Sequence, residues 1–190
     1  MLRIQFFGSF QALNDDVPIA AMQSERIQAI LAYVLLNRHA PIARQQLAFT
    51  FWPDITNTQA RHNLRTLLTR LREALPRADQ FLVIEAKTIQ WRSDALFTLD
   101  VAEFEAALDR GDVRAAIELY RGDVLPTCYD DWIVSERERL HAHYVEALTQ
   151  VVSDAEGQRD FVAALQYGQR ALQADPLREE TYRQLMRLLH

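Results

Sequence analysis

The sequence predicts two parts of different class, an α+β N-terminal half and an all-α C-terminal half. Three observations carry this. Short runs of branched and aromatic residues broken by turn signals occur only before residue 98. Beyond it, apolar residues recur at helical spacing in one segment after another. The charge also divides, since residues 1–98 hold 11 basic and 8 acidic side chains, a net of +3, whereas 99–190 hold 10 and 18, a net of −8. The halves, 1–98 and 99–190, are therefore expected to face different partners.

With 190 residues and 49% hydrophobic side chains the chain can bury one large or two small cores and is not a disordered sequence. A single cysteine, Cys128, excludes an intramolecular disulfide and any metal site built on paired thiolates, which makes the cytoplasm the default compartment. No secretory signal opens the chain, and no apolar run approaches the roughly 18 residues of a membrane span.

Leu2 to Phe7, Ser9 to Leu13 and Val17 to Ala20 read as three short strands, with Asn14-Asp15-Asp16 as the turn before the third. Ser24 is placed to cap a helix with apolar positions Ile27, Ile30, Leu31, Val34 and Leu35, ending near Asn37 to Pro41. A second helix spans about Arg44 to Phe51, stopped by Trp52-Pro53-Asp54. Thr56 to Gln59 has capping-box spacing, and a third helix starts there and ends at Pro76. Phe81 to Glu85 and Thr88 to Arg92 read as a hairpin whose tip carries Ala86-Lys87.

The third helix is the most informative segment. A wheel at 100° per residue puts Ala60, Leu64, Leu67, Leu68, Leu71 and Leu75 on one stripe. The other face holds His62, Asn63, Arg65, Thr66, Thr69 and Arg70, with Arg61 and Arg72 at its margins and no acid before Glu73. One side packs a core, and the other offers donors suited to phosphates and base edges. A solvated arginine-rich helix has the same composition. The order of elements favours nucleic acid, because three strands, three helices and a basic hairpin make a winged helix-turn-helix, in which the third helix enters the major groove and the hairpin lies along neighbouring backbone.

From Asp100 onward the chain reads as helices: Asp100 to Leu108, Asp112 to Tyr120, a long one from Asp131 to Ala155, Asp160 to Ala174, and Leu177 to the end. Ala163-Ala164, Tyr167, Ala171-Leu172 and Asp175-Pro176 suit a tetratricopeptide-like helix pair, with an ordinary helical stack as the plainer alternative.

The segments RIQFFGSFQAL, QLAFTFWPD and ARHNLRTLLTRLREAL resemble the OmpR-type winged helix of SARP-like bacterial regulators. LYRGDVLPTCYDDWIVSERERL and ALQADPLREETYRQLMRLL are similar to the bacterial transcriptional activator domain that follows it there. The resemblance implies a sequence-specific DNA-binding regulator, usually an activator that binds repeated sites, pairs as a homodimer on DNA and engages RNA polymerase. It matches the family's arginine-leucine-arginine signature to Arg70, Leu71 and Arg72. On that match Leu71 is core while Arg70 and Arg72 face DNA or its phosphates, Asn63, Thr66 and Thr69 point toward base edges with Arg61, His62 and Arg65 nearby, and Lys87 is the wing contact. The loop of Pro53, Asp54, Ile55, Thr56 and Asn57 takes the place where OmpR-type domains meet polymerase. Leu67 stands where related regulators carry a polar base reader, so that contact is expected to be missing. Relatives usually carry further repeats, many with a nucleotide-hydrolysing or sensor domain, whereas this sequence ends just after a helix without a Walker-type P-loop. A fragment or a short regulator is expected, with no receiver domain ahead of the winged helix.

No enzyme is expected. His141 and His143 lie two apart on a helix, so their side chains diverge and cannot share a metal; a solvated face is the expectation. Cys128 has no neighbouring histidine to act as base, and Asp130-Asp131 read as caps of the long helix. Trp52, Trp91 and Trp132 read as core anchors. No cofactor is called for. The alternative function is a helical-repeat module that binds proteins only, with the arginine helix packed on an acidic neighbour.

Overall fold

A computed structural model describes residues 1–188. The chain forms two compact units, Met1–Val101 together with Val124–Val134, and Ala102–Asp123 together with the residues from Ser135 onward. The first is mixed α/β and the second is helical.

In the first unit, β1 (Leu2–Gln5) pairs antiparallel with β2 (Gln11–Asn14), which pairs with β3 (Val17–Pro18). Leu2 and Ile4 are buried and Arg3 is exposed, the alternation a one-sided sheet requires. Asp15 and Asp16 both take positive φ, 50° and 64°, as a two-residue hairpin turn demands. The sheet has a fourth strand that the sequence reading missed. β7 (Phe97–Leu99) runs parallel to β1, giving the order β3-β2-β1-β7. Three residues paired to the far end of a domain leave no local pattern.

Helix α1 (Glu25–Leu36) is buried on every side from Ala29 to Leu35 and is the central element of the unit. Ser24 does occupy its N-cap, but the hydroxyl makes no capping bond. After β4 (Ile42–Ala43) come α2 (Arg44–Phe51) and α3 (Asn57–Ala74). Thr56 Oγ1 accepts from the Gln59 N–H at 3.4 Å, while the Gln59 side chain donates to Asn63 Oδ1 at 2.9 Å, so one of the two capping-box bonds forms. Leu75, ahead of Pro76, is already extended, and that ends α3. The inward stripe is the expected one, with Ala60, Leu64, Leu67, Leu68, Leu71 and Leu75 all buried.

The hairpin is β5 (Leu82–Ile84) with β6 (Thr88–Trp91), and β4 adds to its other side in the order β4-β6-β5. Trp91 is buried between Phe81 at 5.5 Å and Phe97 at 5.0 Å, an anchor as expected. Trp52 and Trp132 are only half-buried.

Two features tie later sequence into this unit. The Asp100 carboxylate, 7% exposed, accepts from the Phe6 and Phe7 N–H groups at 2.8–3.0 Å and from the Val101 N–H at 2.8 Å. The segment 124–134 bridges Phe7 through Val124, donates the Leu125 N–H to Phe6 O at 3.0 Å, and sets the Trp132 ring against Tyr33 at 5.1 Å and Phe51 at 6.0 Å. Asp130 is not the cap that was expected. Its carboxylate takes the Arg26 guanidinium at 2.6 and 2.9 Å and the Trp132 Nε1 at 3.3 Å. An arginine that also lies over the Phe51 and Trp52 rings, each 5.8 Å away, is held in place to make a two-bond, charge-assisted contact with that carboxylate.

The helices beyond are α4 (Asp100–Asp109), α5 (Val113–Leu119), α6 (Trp132–Gly157), α7 (Phe161–Ala174) and α8 (Glu179–Leu188). Each falls close to its expected span; residues 189 and 190 of the last lie outside the described residues. Asp112 and Asp160 cap α5 and α7, accepting from Ala115 N–H at 3.2 Å and Ala163 N–H at 3.1 Å. Val113, Ile117, Ala147, Leu148, Val151 and Ala171 form one core cluster of this unit. His141 is half-buried rather than solvated, with Nδ1 3.3 Å from the Tyr120 hydroxyl, whose ring stacks on Tyr144 at 4.2 Å. Burial, and then the hydrogen bond donated to Asp123, push the Tyr120 phenol well above its usual range.

Helices α7 and α8 pack through Gly168, where an added Cβ would lie 2.4 Å from Leu185 Cδ2 and 3.1 Å from its Cγ. Leu185 is itself buried and has little room to yield. Gly168→Val is therefore expected to destabilise the helical unit by about 1–3 kcal/mol in chemical denaturation. Gly168→Ala should cost less, because alanine recovers roughly 1 kcal/mol of helix propensity.

Candidate nucleic-acid interface

Because the inward stripe of α3 is wholly apolar, every polar side chain of the helix is driven outward. Arg61, His62, Arg65, Thr66, Thr69, Arg70 and Arg72 are exposed and Asn63 is half-buried. Their surroundings differ. Thr66 Oγ1 donates to His62 O at 3.2 Å and Thr69 Oγ1 to Arg65 O at 3.1 Å, so both hydroxyl protons are spent on the helix and the oxygens remain as acceptors. Asn63 Oδ1 is taken by Gln59, leaving its amide N–H groups as the outward function.

The cations separate into three groups. Arg61 and Arg65, one helical turn apart, line an open groove of about 740 Å³ together with Ala43, Arg44, Gln45, Leu64, Ala86 and Lys87. The expected wing contact and two of the expected helix arginines thus share one surface. Arg70 stands nine residues from Arg61, about two and a half turns, and belongs to the opposite flank. Arg72, expected to be free for phosphate, is instead paired with Asp79 at 2.8 Å. Asp79 lies in the turn Ala78–Gln80 after Pro76, which the chain folds back beside the end of α3. That pair is exposed on both sides and of the kind that contributes little to stability.

Arg44 was not singled out from the sequence. Lone at the start of a predicted helix, it carried no periodic signal; the two-residue strand β4 brings it to the hairpin. Among the described residues no acid pairs with Arg44, Arg61, Arg65, Arg70 or Lys87. By contrast Arg3, Arg26, Arg77 and Arg92 each have an aspartate. Pro53, Asp54, Ile55 and Thr56 are exposed in the loop between α2 and α3, and Asn57, the first residue of α3, is exposed beside them.

A sequence profile of the bacterial transcriptional activator domain matches residues 95–190. The chain belongs to the bacterial transcriptional activator domain family. Its fold is similar to that of Mycobacterium tuberculosis EmbR, solved in complex with a low-affinity phosphopeptide, with a TM-score of 0.80 and 21% identity over 98% of this chain. The match covers 54% of EmbR, so this chain spans about half the length of that protein. No curated protein matches the sequence significantly. The activator-domain match begins ahead of β7 and includes Asp100 and Val124–Val134, so part of the family region is built into the first unit. Membership places the chain in a regulatory family rather than an enzymatic one. No helix of the described residues is long and apolar enough to cross a membrane.

Proposed function

We propose that the first unit is an OmpR-type winged helix and that the chain is a cytoplasmic, sequence-specific DNA-binding regulator of SARP type. The observation that carries this is the gathering of Arg61, Arg65, Lys87 and Arg44, none paired with an acid, on one groove of a chain whose net charge is −5. Cations gathered without paired acids on one face of an acidic protein suit a polyanion.

In this reading α3 enters the major groove. Arg61, Arg65 and Lys87 meet phosphates on one wall and Arg70 those on the other, or a guanine edge. His62, Asn63, Thr66 and Thr69 face the bases between. The back-bonded threonines offer an acceptor oxygen and a methyl group, which suit an adenine or cytosine amine and a thymine methyl. Arg72, held by Asp79, is secondary. The loop Pro53–Asn57 is offered to RNA polymerase, and two protomers on repeated half-sites supply the specificity that one winged helix lacks. Activation is the expected outcome of binding.

The test is selection of random duplex DNA on the purified chain, followed by affinity of the winning site across salt concentrations. With about five cations on phosphates, namely Arg44, Arg61, Arg65, Lys87 and Arg70, log K should fall against log salt with a slope of roughly −4 to −5. Replacing Arg61 and Arg65 together by alanine should remove roughly two from that slope. No enriched motif, or a slope near zero, would leave only the protein-binding alternative.

A further inference from the structure

The groove is completed by a residue whose main task is on the protein itself. We propose that Arg44 is a positioning residue that fixes the hairpin tip, so that Arg44, Arg61, Arg65 and Lys87 form one seat for the phosphodiester backbone of a nucleic-acid strand. This rests on the DNA-binding reading above.

The hairpin is weakly anchored where it matters. Strands β5 and β6 are three and four residues long, and β4 reaches β6 through only two pairs, Ile42 with Ile89 and Ala43 with Thr88. The tip, 85–87, lies beyond the last of these pairs. Arg44 follows directly in the chain and grips it twice. Its main-chain N–H donates to Lys87 O at 2.8 Å, and its guanidinium Nη1 donates to Glu85 O at 3.0 Å. The carbonyls on both sides of Ala86 are held by one residue.

Both acceptors are neutral, so the guanidinium keeps its whole charge while it holds the tip. The one acid of the tip forms no ion pair with Arg44; the Glu85 carboxylate accepts from the Thr88 hydroxyl at 3.0 Å. A guanidinium has five N–H donors in a fixed fork, and the bond to Glu85 O uses one of them. The remainder are available on the groove that Arg61, Arg65 and Lys87 line. Arg44 thereby sets where Lys87 stands relative to α3 and adds a cation of its own.

The experiment uses the full chain and the duplex it selects. Affinity and salt slope are compared for Arg44→Ala, Arg44→Lys, Lys87→Ala and the double variant Arg44→Ala/Lys87→Ala. Main-chain amide exchange of Glu85, the tip residue whose N–H is bonded to Thr88 O, is followed in parallel. Arg44→Ala should weaken binding more than Lys87→Ala and lower the slope by close to two contacts, roughly 1.8, because Lys87 is lost with it. The double variant should then bind no worse than Arg44→Ala alone. Exchange at the tip should rise in Arg44→Ala and stay unchanged in an Arg61→Ala control. Arg44→Lys keeps the charge without the fork, so it should recover one contact in the slope and only part of the tip protection.

Losses that simply multiply in the double variant, or a Glu85 amide that exchanges no faster in Arg44→Ala than in the unaltered chain, overturn the positioning role. Failure of the unaltered chain to bind any duplex overturns the DNA-binding reading itself, and that result is read on the unaltered chain before any variant is compared.

Discussion

Replacing Asp100 by alanine is expected to lower the stability of the chain by about 3–5 kcal/mol, read as a fall in the denaturation midpoint. The carboxylate is buried and accepts three main-chain N–H groups, those of Phe6, Phe7 and Val101. Alanine leaves all three facing a space the carboxylate once filled, and each buried donor left unsatisfied costs about 1–3 kcal/mol. The sum is reduced where water can enter. Asp100→Asn should fall between, because its one oxygen can still serve part of the set while its amide turns a donor toward a donor. Since Asp100 does not line the cationic groove, DNA affinity measured well below the new midpoint should be unchanged. An alanine variant within 1 kcal/mol of the parent would mean that the three N–H groups find partners elsewhere.

What could be read from the sequence was what repeats locally. Helices α1 and α3 fall where their apolar spacing put them, and the inward stripe Ala60, Leu64, Leu67, Leu68, Leu71, Leu75 is buried to the last member. The turn at Asp15-Asp16 and the cap at Thr56 are likewise short-range chemistry. What escaped was long-range. Strands β4 and β7 are two and three residues long, too short for an alternation to show, and their partners lie far off in the chain. The same cause hid three side-chain roles. Arg72 meets Asp79 only because the chain turns back after Pro76, Asp130 meets Arg26 across 104 positions, and Arg44 reaches Glu85 through β4. A helical wheel assigns a side chain to a face; it does not say which acid or carbonyl the fold brings to that face. For that reason the outward set on α3 was legible as a set, while Arg44 and the pairing of Arg72 were not.

A chain cut after residue 98, at the boundary the charge pattern suggests, is expected to be unfolded. The cut removes Leu99 from β7, the Asp100 carboxylate, and the buried side chains of Val124, Leu125 and Ile133 together with the Trp132 ring against Tyr33 and Phe51. At about 1.5–3 kcal/mol for each large apolar side chain returned to water, the loss is on the order of 10 kcal/mol, comparable with the whole stability of a small domain. Restoring those residues should restore the fold. Asp100 bonds the Phe6 and Phe7 N–H groups, and Leu125 bonds the Phe6 carbonyl, so residues 101 and 124 both leave from the neighbourhood of Phe6-Phe7. A flexible linker of about six residues, spanning roughly 12–15 Å, can therefore join 1–101 to 124–134 in place of 102–123. That joined chain should give a cooperative unfolding transition and bind the selected duplex with the salt slope of the full chain, where 1–98 gives neither. A cooperative transition from 1–98 alone would show that these residues close their own core, and that Val124–Val134 merely lies upon it.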